Sequence, residues 1–235
     1  ITAASLIPLQ ILAGDFHGLN TLEHQPAKIA AMEANWDTGP NVPLVLFALP
    51  DEKTRENRFE IAVPNGASLI LTHSLDGVVP GLNDFVDDQG QALHPPVAPV
   101  YFSFRIMVGV GFLMLAVAWW GAFALLKDRV GPWLLRALSA MTFAGWVATL
   151  AGWYVTEIGR QPWVVQGYIR ASEVVADHAG GMVLSTLIGY LALYAFLLVF
   201  YILALMTLAS KPARSLRANI DFAGAKPTAP AVGAA

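Results

Sequence analysis

The sequence contains no cysteine. That absence excludes disulfides, thiolate metal sites, Cys-ligated iron–sulfur clusters and Cys nucleophiles, and it is neutral about compartment. Charge is also scarce. Asp, Glu, Lys and Arg make up 13% of the 235 residues, against about 25% in an average soluble domain. So little charge cannot cover a soluble surface of this size, and lipid has to solvate much of the chain. The net charge of −3 comes without a basic stripe, which excludes nucleic acid as a partner. The chain opens Ile1-Thr2-Ala3, with neither an initiator Met nor the basic n-region of a signal peptide. It is expected to be a piece of a longer protein. No internal repeat is visible.

Apolar runs are what the sequence has in quantity, with 56% of its residues hydrophobic. A bilayer core about 30 Å thick needs roughly 20 apolar residues of helix to cross it. Three runs meet that length and predict transmembrane helices over 98–126, 137–156 and 179–210, of which the first carries Arg105 as its one charge. The segment 1–14 is apolar but too short to span, and reads as the tail of a helix that starts upstream. The fold class expected is an all-α, polytopic transmembrane bundle.

Residues 15–97 differ in character. Most of the Asp and Glu lie here, with turn signals at Gly39-Pro40, Pro64-Asn65-Gly66, Pro80-Gly81 and Pro95-Pro96. Short apolar runs (Leu44–Leu49, Ala67–Leu71) recur inside it, so a folded extramembrane segment is expected rather than a linker. Ile29, Met32 and Trp36 follow i, i+3, i+7 spacing and predict a short amphipathic helix over 26–36. Lys127, Arg129 and Arg136 follow the first span, and Lys211, Arg214 and Arg217 follow the third. The positive-inside rule puts both clusters on the cytoplasmic side, so 157–178 is an external loop and 211–235 a cytoplasmic tail. The last dozen residues, rich in Ala and Pro, are expected to be disordered.

Ionisable groups at membrane depth are costly unless paired or functional. Arg105 and Glu157 each lie near the outer end of a span, where anchoring a helix end at the head groups is the plain alternative. Around Glu157 the neighbours add weight: Trp153 lies one turn earlier, Arg160 three residues later, and Gly159 and Pro162 break the helix. A carboxylate, a guanidinium and an indole at one helix end suit a haem, which needs an axial ligand, cations for its propionates and a flat apolar wall. An ion pair with a packing aromatic has the same sequence. Met107 is about 200° around the helix from Arg105, and a membrane Met is ordinarily core filler. Lys28 and Glu33, about 140° apart on the short helix, read as a solvated face. None of the five histidines falls inside a span.

Three stretches together resemble subunit I of the cytochrome bd quinol oxidases, in its C-terminal half: Glu157 with Gly159-Arg160-Gln161-Pro162-Trp163; Ser103-Phe104-Arg105-Ile106-Met107-Val108-Gly109; and Lys28 through Trp36, preceded by Gly14-Asp15. The resemblance covers essentially the whole chain. It implies that Met107 is the axial thioether of a low-spin haem b, with Arg105 the nearby cation. Glu157 then stands at a high-spin haem of a dihaem oxygen site (high-spin haem b with haem d, or a second haem b in its place), with Arg160 beside it and Trp153 between the haems. Lys28 and Glu33 become the quinol-oxidising pair of an external Q-loop (residues 15–97), Glu33 accepting a proton and Lys28 holding a quinone oxygen. The short stretch from Trp36 to Arg105 implies the short-loop branch, which includes the cyanide-insensitive oxidases.

The implied activity is oxidation of membrane quinol with reduction of oxygen to water, building proton motive force without pumping, in a bacterial cytoplasmic membrane. The implied partners are subunit II, a small accessory subunit, membrane lipid, and a preceding N-terminal half that holds the family's axial histidines. The rival readings are a transporter using Arg105 and Glu157 as gating charges, and a non-catalytic quinone-binding or assembly subunit.

Overall fold

A computed structural model describes residues 2–210 apart from Gln89 and Asp177. The chain divides into two units, Ile1–Val175 and Ala176–Ala235. In the second unit, α7 (Gly180–Ser210) is a single apolar helix of 31 residues. The expected cytoplasmic tail, with Lys211, Arg214 and Arg217, lies outside the described residues.

The first unit opens with α1 (Thr2–His24). The apolar run ends at Gly14, but the helix continues for ten more residues. Hydropathy reports what lipid will solvate, whereas a helix persists until something stops it, and the next proline is Pro26. That proline starts α2 (Pro26–Glu33) at its first turn, where a missing N–H costs nothing. The helix expected over 26–36 ends three residues early. Ala34 adopts a left-handed conformation (φ 51°), its N–H returns to the carbonyls of Ala30 and Ala31, and Asn35 N–H closes on Ala30 O at 2.9 Å. Trp36 therefore reaches the core from beyond the helix end, not from its face.

Two short hairpins modify the all-α expectation. β1 (Leu44–Asp51) pairs antiparallel with β2 (Glu56–Val63). Asp51 closes their turn, its side chain accepting the N–H of Lys53 at 3.0 Å. β3 (Trp163–Val165) pairs with β4 (Ile169–Arg170) after the second span. A short helix, α3 (Gly66–Thr72), packs its Ala67 with Val42 and Val79.

The long helix α4 (Val97–Leu126) begins directly after Pro95-Pro96. Glu52, from the β1–β2 turn, accepts the Val97 N–H at 2.7 Å, placing a carboxylate at the positive end of the helix dipole. The second span starts at Pro132 rather than at residue 137. α5 (Pro132–Ala140), a 3-10 turn and α6 (Ala144–Ile158) form one candidate crossing of 27 residues. Arg136 falls inside it, its guanidinium 4.9 Å from the Trp133 ring centroid, an arrangement suited to the head-group region. Val97–Leu126, Pro132–Ile158 and Gly180–Ser210 are the three described helices long and apolar enough to cross a membrane.

The core lies under the segment that joins α1 to α4. Ala30, Ala31, Ala34 and Trp36 meet Val45, Ala48 and Leu82, with Val97, Val100 and Tyr101 from the start of α4 and Ile158 from the end of α6 against them. Alanines on α2 let it approach closely. One end of the helix pair α4–α6 is thereby fused to the segment between α1 and α4.

Candidate functional site

Glu33 is the last residue of α2 and is only 6% exposed. A buried carboxylate survives only with a partner, and its partner is Arg105, whose Nη2 donates to Glu33 Oε2 at 2.6 Å. Arg105 Nε donates to Val45 O at 2.8 Å, and the Tyr101 hydroxyl donates to the same carbonyl at 3.2 Å. The guanidinium also lies over the Tyr101 ring, 5.0 Å from its centroid. One cation thus ties α2, β1 and α4 together. The solvated face expected of Glu33 from residue type alone is not what the fold makes of it.

Lys28 turns the other way. Its stem packs on the end of α6: a Cβ at Gly159 would lie 3.0 Å from Lys28 Cε. Burial pushes the Lys28 pKa below its ordinary value, the Arg160 cation lowers it further, and the Glu157 carboxylate opposes both. Lys28 and Glu33 therefore do not converge. Lys28 joins Glu157 and Arg160, while Glu33 joins Arg105.

Glu157 and Arg160 face each other at 3.9 Å, each about half exposed. At that distance and exposure the pair is weak, so the carboxylate is accessible. Trp153, one turn earlier, is exposed as well. Trp163 holds the stretch in place: its indole N–H donates to Leu93 O at 3.2 Å, and Arg170 stacks on its ring.

Met107 points into the α4–α6 seam. A Cβ on Gly152 would lie 2.9 Å from its sulfur, so the thioether fills the notch that the glycine leaves. A soft donor held in an apolar seam fits one axial position of a low-spin haem. An accessible carboxylate with a cation and an indole at one helix end fits the edge of a second. Among the described residues no three His, Asp or Glu cluster as a bare-metal site would need.

The family model for cytochrome bd terminal oxidase subunit I matches residues 1–213. The chain belongs to that family. It is 32% identical, over 79% of its length and 42% of the relative's, to cytochrome bd ubiquinol oxidase subunit 1 of Bacillus subtilis. It is 28% identical to cytochrome bd-II ubiquinol oxidase subunit 1 of Escherichia coli, covering 84% of this chain and 51% of the relative. The structure of the bd oxidase from Geobacillus thermodenitrificans superposes with a TM-score of 0.75 at 30% identity, over 90% of this chain and 48% of that one. The chain spans about half the length of the curated relatives it matches. As a subunit I member with three apolar helices, it is a multi-pass bacterial membrane protein.

Several residues that hold these candidate residues in place escaped the sequence reading: Tyr101, Val45 and Gly152, with Asn57, whose side chain donates to Ala34 O at the end of α2. Gly152 could have been suspected, since it stands next to Trp153 and lacks a turn to explain it. Tyr101, Val45 and Asn57 act through contacts distant in sequence and leave no local signal.

Proposed function

We propose that this chain is the C-terminal, quinol-oxidising part of subunit I of a bd-type oxidase, and that it supplies one face of each haem site. The observation that carries the reading is the Glu33–Arg105 ion pair. It fastens the helix bearing the candidate proton acceptor to the helix bearing Met107, two residues beyond Arg105. Proton and electron acceptance from one quinol need that proximity.

In this reading Glu33 takes a quinol proton on its carboxylate. Lys28 contacts a quinone oxygen with its ammonium, for which its long, flexible stem leaves the seat against Gly159. Arg105 stabilises negative charge beside the low-spin site, and Met107 holds the low-spin haem b from one side. Glu157, Arg160 and Trp153 bound the high-spin haem b, with haem d, or a second haem b, beyond. Bound there, the haems supply the one-electron acceptors and the iron at which oxygen is reduced to water. The axial histidines come from the N-terminal half of subunit I. Subunit II, a small accessory subunit and lipid enclose the rest.

The external segment faces outside the cytoplasmic membrane. In support, Lys127, Arg129 and Arg136 stand at the end of α4 away from Glu33. Protons released outside and taken up from inside then build proton motive force without pumping. The E. coli alignment runs over 262 positions while covering 84% of this chain, so that relative carries extra residues within the matched region, which supports a shorter Q-loop, as in the cyanide-insensitive branch. The test is Met107→Leu in the complete complex: the reduced-minus-oxidised band of the low-spin haem is expected to disappear, and an unchanged band would refute the ligand role.

A further inference from the structure

Between the end of α2 and the β1–β2 hairpin lies an open pocket of about 340 Å³, within the ~300–1,000 Å³ range of small-molecule sites. Glu33 lines it, with Trp36, Arg55, Glu56, Asn57 and Glu60. Lys28 does not. Asn57 organises the wall. Its carbonyl oxygen accepts the Trp36 indole N–H at 3.0 Å, and its amide donates to Ala34 O at 3.0 Å and to Glu60 Oε2 at 3.2 Å. Asn57 therefore fixes both the cap that ends the Glu33 helix and the orientation of the Glu60 carboxylate.

We infer that this pocket seats the quinol ring, with Glu60 the acceptor for its second proton and Asn57 the positioning residue. The inference rests on the quinol-oxidising reading above and names a residue nothing there assigns. A quinol carries two O–H donors and releases two protons; a quinone carries acceptors only. The lining matches the donor-bearing form: Glu33 is buried at the α2 side, and Glu60 is exposed on the hairpin side where water can carry its proton away. Both O–H bonds of the quinol break, one proton going to Glu33 and the other to Glu60. The two electrons leave to the reaction's acceptor, a haem. The quinone has no O–H left to donate; once water at the pocket's opening carries off the two protons, the carboxylates face it without a hydrogen bond, and it is released.

The experiment uses the complete oxidase and a short-chain quinol. Glu60→Gln is expected to lower kcat about tenfold, less than the roughly hundredfold typical of a positioned base because water at the pocket's opening partly substitutes. The dithionite-reduced low-spin spectrum is expected to be unchanged, and Glu60→Asp to recover most of the loss. Asn57→Asp, which turns the donor to Glu60 into a like charge, is expected to raise KM with the spectrum intact. Glu33→Gln is the control. If Glu33→Gln loses turnover with its dithionite-reduced low-spin spectrum intact while Glu60→Gln keeps wild-type kcat and KM across the neutral pH range, the role of Glu60 is overturned and the quinol reading stands. If Glu33→Gln also turns over normally, the quinol reading itself falls.

Discussion

Arg105 on α4 donates to Glu33 at the end of α2 at 2.6 Å, across 72 residues of sequence, with the two side chains 16% and 8% exposed. Removing one member of a buried pair strands the other charge, at a cost on the order of 3–5 kcal/mol. Arg105→Leu is therefore expected to lower the thermal stability of the complex sharply. The double variant Arg105→Leu/Glu33→Gln, which leaves no orphan charge, should recover much of that loss. Equal melting temperatures for the single and double variants would show that the pair is not what holds the two helices.

The notch at Gly152 leads to a second expectation. A bare Cβ there meets only the flexible sulfur end of Met107, so Gly152→Ala should be tolerated. Gly152→Val adds two methyls to a full seam, where overpacking typically costs 1–3 kcal/mol. The low-spin haem band in Gly152→Val is expected to weaken or shift, and a redox titration of the purified complex reads it.

Lys28 carries a pH dependence with a definite sign. Its folded pKa lies below 10.5, first from burial and then from Arg160. Between that lowered value and 10.5 the unfolded chain binds more protons than the folded one, so stability contributed by this site rises with pH through that window. The ammonium is correspondingly lost at lower pH than for a free lysine. The quinol KM should rise on an alkaline limb that Lys28→Met abolishes, and Arg160→Gln should move the limb upward. A limb unaffected by either change would remove Lys28 from quinol binding.

Glu52 offers a milder case. It accepts the Val97 N–H at the start of α4, and loss of such a cap typically costs about 1 kcal/mol. Glu52→Ala should lower the melting temperature slightly while leaving the haem spectrum unchanged. A spectral change would mean that the hairpin does more than cap the helix.

The three spans were legible because lipid is a uniform solvent: twenty apolar residues in a row mean the same thing whatever surrounds them. Helix ends were less so. The second span starts at Pro132, upstream of the uncharged run, because an Arg136 near the head groups does not interrupt a helix. Of the hairpin only β1 was legible, as the apolar run Leu44–Leu49, while the run Ala67–Leu71 folds as α3. Short strands owe their stability to pairing with a partner, and β2 left no such run.

The amino-acid sequence by itself determined the membrane architecture and, through three local stretches, the family. Only the tertiary structure decided how the candidate residues are grouped. Glu33 and Lys28 stand five positions apart on one short helix, about 140° around it, and the fold sets Glu33 against Arg105 of α4 but Lys28 against Gly159 and Arg160 beyond the end of α6. Burial makes an ion pair specific, and burial is a property of what folds over a residue rather than of its neighbours in the chain.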